Sequence, residues 1–146
     1  MIKGMKPEGP RLNLIEVDAL VVGFEDGSVH LEDFHHRQHL MVAARLAAGA
    51  TLDAALDRMR RGLQALLARH GKDGYHETVT AFWMHVLTHR LAQCPPEWPL
   101  EVRLGDAVGW AESAKPLAAH YSAERLAHAD ARHIFLEPDR QPLPTL

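Results

Sequence analysis

The chain has 146 residues, 47% of them apolar and 24% charged, with a formal net charge of -3. That is the mix of one soluble globular domain, 1–146, long enough to bury a core without covalent staples, and it lacks the basic excess of a nucleic-acid binder. The single cysteine, Cys94, excludes an intrachain disulfide and a thiolate-rich zinc site and suits a reducing cytoplasm, and no apolar run approaches the roughly 20 residues of a membrane span.

The opening "MIKGMKPEGPRLN" has Pro7, Gly9 and Pro10 as breakers and no hydrophobic block of a secretory signal, so a loose lead-in is expected over 1–13. "LIEVDALVVGF" (14–24) reads as helix or strand. Helix is favoured, because no second strand exists to pair with it. After the turn "EDGS", a helix is expected over 31–48, with Glu32 and Asp33 in its first turn and Gly49 ending it. Thr51 caps a second helix over 52–70, whose apolar positions recur at helical spacing. "GKDG" breaks the chain before a third helix, 75–93, apolar over so broad a surface that a central position is expected for it. "CPPEWP" is irregular. Shorter helices follow near 104–114, 116–120, 123–128 and 131–135, with Ser122 and Asp130 as caps of the last two, and the tail 137–146 is extended. The predicted fold is all-α: a bundle of three main helices plus a C-terminal lobe of short ones.

Histidine is over-represented, with 11 in the chain. His36 and His39 lie three apart on the stripe that continues through Leu40, Ala43 and Leu46, so both project from one side of the helix. Helical bundles use that spacing to aim two ligands at one ion. Glu32, one turn earlier, would orient His36 or bind directly. His76 and Thr80, four apart, share a face with Trp83 at the start of the third helix, and Glu77 lies on its shoulder. If the two helices are neighbours, His36, His39 and His76 converge. Three imidazoles and a water describe a catalytic zinc site, and adding Glu77 or Glu32 suits iron or manganese better. In that reading Glu77 is base or ligand, Thr80 holds the metal-bound water, and Tyr75 and Trp83 line the way in for a small-molecule ligand.

"FHHRQHL" (34–40), "MRRGLQ" (59–64) and "GYHETVTAFW" (74–83) together resemble a family of small bacterial helical proteins with FxHxxHL and GYHETxTxxW motifs and no assigned activity. The resemblance spans about residues 19–144. It implies that His36, His39, Tyr75, His76, Glu77, Thr78, Thr80 and Trp83 matter. Where members often carry a small residue this chain has His35, which marks that ring as incidental.

Each signal has a plainer alternative. The pair His36/His39 would be bonded to carbonyls or carboxylates in a helix seam, and His76 would be a ring at a helix start. Glu77 would be a first-turn acid favoured by the helix dipole, and Thr78 and Thr80 would bond back to their own helix. Arg60 would be solvated or would reach an anionic ligand, and His120 is a distant candidate fourth ligand. Three readings therefore compete: a metal-dependent hydrolase or oxygenase, a non-catalytic module that binds a ligand or senses a metal, and an interaction protein with structural histidines. A homodimer sharing the apolar third helix is compatible with all three.

Overall fold

The structure, a computed structural model, describes residues 11–146; most of the lead-in expected over 1–13 lies outside the described residues. The fold class is as expected: seven helices and no strand among the described residues. The bundle has five long helices rather than three. Helix α1 (Leu14–Asp26) starts where the Asn13 carboxamide accepts the Glu16 N–H at 3.1 Å, and ends at Gly27, whose φ of +86° closes the turn. Its buried residues Val17, Val21 and Phe24 recur at helical spacing. Just before it, Leu12 is buried and donates its N–H to the Glu101 carbonyl at 3.0 Å, so the end of the lead-in is pinned rather than loose.

The helix expected over 31–48 begins late. Leu31–Asp33 form a 3-10 turn, and α2 runs His36–Ala48. Glu32 and Asp33 thus lie outside its first turn. Instead, Gln38 accepts the His35 N–H at 3.0 Å and occupies one of the orphan donors at the start. Helix α2 touches α1, α3, α4 and α5. Its small side chains Ala43, Ala44 and Ala47, all buried, allow close approach on several sides. It therefore shares the central position expected for the third long helix of the sequence, which is α4.

Helix α3 (Leu52–Arg69) is capped by Thr51, whose hydroxyl accepts the Ala54 N–H at 3.3 Å. Gly62 lets α1 approach it: a Cβ there would meet Phe24 Cε2 at 2.2 Å. Helix α4 (Glu77–Gln93) divides its broad apolar surface. Met84, Leu87 and Leu91 belong to the main core, while Phe82 and Val86 pack with Tyr121 on the other side. Helix α5 (Leu100–Ala114) starts four residues before its predicted beginning, right after Pro99.

Two short helices follow, α6 (Pro116–His120) and α7 (Ala123–Ala127), the latter capped by Ser122. The helix expected over 131–135 does not form. Its carbonyls are used elsewhere: Arg132 O accepts the Glu77 N–H at 3.0 Å, and Ala131 O accepts the Thr78 N–H at 3.1 Å and the Thr78 hydroxyl at 2.7 Å. The carbonyls of Ala131 and Arg132 thus satisfy orphan donors of α4 instead of continuing a helix. Asp130 closes a turn, its carbonyl accepting from His133 and Ile134, and caps no helix. The extended tail is held by side chains: Tyr121 O–H donates to Leu136 O at 2.6 Å, His120 Nδ1 meets Gln141 O at 2.9 Å, and His85 Nε2 meets Pro144 O at 2.7 Å. Among the described residues no helix is long and apolar enough to cross a membrane.

Candidate functional site

Helices α2 and α4 do pack against each other, as the motif reading required. His76, however, is the N-cap of α4 and belongs to the scaffold. Its Nδ1 accepts the Val79 N–H at 3.2 Å, and its Nε2 meets the Leu126 carbonyl at 2.9 Å. The first bond leaves the ring proton on Nε2, which donates it. Both nitrogens are spent, so a metal there would have to displace a cap or a tether. Among the described residues, no three His, Cys, Asp or Glu side chains are placed to hold one metal ion. The expected set of His36, His39 and His76 therefore does not assemble, and the donors do not fit a three-ligand centre for zinc, iron or manganese. Glu32 lies apart, beside a separate exposed hollow with His30, Leu31 and His70. His120 is turned to the tail.

Glu77 is not a free base. Arg60 grips its carboxylate with two N–H bonds, both 2.8 Å, and the Tyr75 hydroxyl donates to it at 2.6 Å. The guanidinium hydrogen bonds hold Glu77 below the usual carboxylate range, with the Tyr75 bond and the Arg60 charge acting in the same direction. Burial, reinforced by the bond to Glu77, pushes the Tyr75 phenol up. The three side chains form a fixed clamp that ties α3 to the start of α4. Thr80 donates its hydroxyl proton to the His76 carbonyl at 2.9 Å, the back-bonded arrangement of its plainer alternative. It retains only acceptor capacity toward a water or ligand.

His39 is different. Its ring lies 4.4 Å from that of Phe34, tilted against it, and is half-buried. Burial is the largest influence on it, pushes its pKa below the usual histidine value and favours the neutral ring. A neutral imidazole carries one N–H donor and one acceptor nitrogen. His36, the first residue of α2, is exposed, with its ring edge-on to Trp83 at 5.5 Å. It lost its expected burial because the helix begins there, at the end of the bundle.

These side chains line neighbouring spaces. A cavity of about 100 Å³ is walled by His36, His39, Thr80 and Trp83 with Ala43 and Met59. A second, of about 200 Å³, shares His39, Leu63, Val79 and Thr80 with it and extends to Tyr75 and His76. Beyond Tyr75, Gly74 and Leu67 lies an open cleft of about 880 Å³, bordered by the Arg60–Glu77 pair. All seven predicted site residues thus line adjoining spaces, although four of them, Tyr75, His76, Glu77 and Thr80, are bonded into the walls. Sequence reading missed Phe34 as the partner of His39, and Lys72, Arg132 and His133 around the outer cleft. Phe34 belonged to the recognised motif. Nothing local marked Arg132, which reaches the cleft from the C-terminal segment.

Comparison of the chain with protein-family models, curated proteins and solved structures returns no match.

Proposed function

We propose that this is a helical ligand-binding module for a small, largely apolar molecule held in the cavities between α2, α3 and α4. The observation that carries this reading is the placement of His39: a half-buried imidazole set against the Phe34 ring, lining both inner cavities among apolar walls. Few convergent polar groups in an apolar pocket are the usual means of orienting a small ligand. The two inner cavities are modest; for scale, a dry cavity of about 150 Å³ holds benzene. The ligand part that enters is therefore an aromatic ring or short chain bearing one hydroxyl or N–H for His39.

Binding is favoured over catalysis because the groups a reaction would draw on, Glu77 and Thr80, have their charge or proton engaged within the protein. The test is a titration with a simple phenol, followed through the His39 ring resonances. A saturable shift is expected, abolished by Ala43→Leu, which fills the cavity and keeps the His39 ring as reporter. If a phenol series leaves His39 unmoved, the reading fails. About one tightly held metal ion per purified chain, lost on His36→Gln and His39→Gln, would replace it with the metal-site alternative.

A further inference from the structure

The outer cleft beyond Tyr75 adds a charge preference to the pocket. Five formally charged side chains border it: Arg60, Lys72 and Arg132 against Asp73 and Glu77. Glu77 is consumed by Arg60 and Tyr75. Among the described residues, Lys72 and Arg132 make no ion pair, and both border the cleft that adjoins the nearer inner cavity. The cleft and the nearer inner cavity share Tyr75, Gly74 and Leu67, so a molecule lying across that boundary has its polar end at the two cations and its apolar end toward His39.

We infer that the ligand is an amphipathic carboxylate, an aryl or short alkyl acid whose carboxylate sits between Lys72 and Arg132 and whose apolar end, bearing a hydrogen-bond donor, reaches His39. This inference rests on the pocket reading above. A single negative charge is favoured over a phosphate because Asp73 borders the same cleft and repels a dianion more strongly. Lys72 and Arg132 are exposed, so their attraction is screened and sets selectivity more than overall affinity.

The experiment uses the full chain and para-hydroxyphenylpropionate, its methyl ester and the corresponding phosphonate, with affinities from calorimetry and contact from the His39 resonances. The acid is expected to bind roughly fivefold tighter than the ester, consistent with two exposed charge contacts, and the advantage should shrink as salt rises. Lys72→Gln with Arg132→Gln should bring the acid down to the ester. Equal affinity of acid and ester, with His39 still shifting, overturns the carboxylate inference while the pocket survives. A phosphonate that binds tighter than the acid overturns the preference for one charge. No His39 shift with any of the three overturns both readings.

Discussion

Replacing His76 by alanine separates a structural cap from a metal ligand. The ring makes two bonds, accepting from Val79 N–H and donating to Leu126 O. Loss of an N-cap side chain costs about 1 kcal/mol. Loss of the bond to a half-buried carbonyl, fifty positions away in sequence, costs about 1 kcal/mol more. Together that is roughly 2 kcal/mol, or a fall in melting temperature of about 6 °C for a domain of this size. The variant still folds, because a chain of 146 residues has a total stability of roughly 7–20 kcal/mol. Urea denaturation of chelator-treated protein gives the midpoint and slope. His76→Ala should lower the midpoint with little change in slope, and His76→Asn, which restores the cap but not the tether, should recover about half of the loss. The reasoning is refuted if His76→Ala is as stable as the parent in metal-free buffer and differs from it only after zinc is added.

Three further outcomes follow from the same geometry. Gly62→Ala should destabilise by about 1–2 kcal/mol despite alanine's better helix propensity, because its Cβ would press on the Phe24 ring, and Phe24→Leu in that background should return part of it by urea denaturation. A double-mutant cycle of Arg60→Gln and Glu77→Gln should show a coupling of about 1–2 kcal/mol, since the pair is bidentate and the Glu77 side chain is only 13% exposed. Because the fold lowers the Glu77 pKa from 4.5, that coupling is complete above pH 4.5 and fades as pH falls through the folded value; a coupling unchanged at acid pH contradicts it. Burial lowers the His39 pKa from 6.5, so its contribution is complete above pH 6.5 and is lost as pH falls from there toward the folded value. His39→Leu should flatten this part of the stability–pH curve, and identical curves for the two proteins would rule the effect out.

Local chemistry made much of the scaffold legible. Helical spacing, the Thr51 and Ser122 caps, the "GKDG" break and the absence of a partner strand for 14–24 sufficed for an all-α chain, and α3 and α6 fall almost where they were expected. Those signals are local because a helix bonds to itself within four residues. The nearness of "FHHRQHL" to "GYHET" was a condition of the site reading, and the packing of α2 on α4 meets it. The roles of the side chains were not readable. An imidazole at the start of a helix has the same place in the sequence whether it caps the helix or holds an ion, and its second nitrogen is settled by Leu126, far along the chain. The same holds for Glu77, claimed by Arg60 across two helices, and for 131–135, whose helical bonds yield to the donors of α4. Periodicity and caps determined which segments are helical. Hydrogen-bond partners remote in sequence decided which polar groups the scaffold uses up, and the packing of α2, α3 and α4 set His39 at the wall of two cavities.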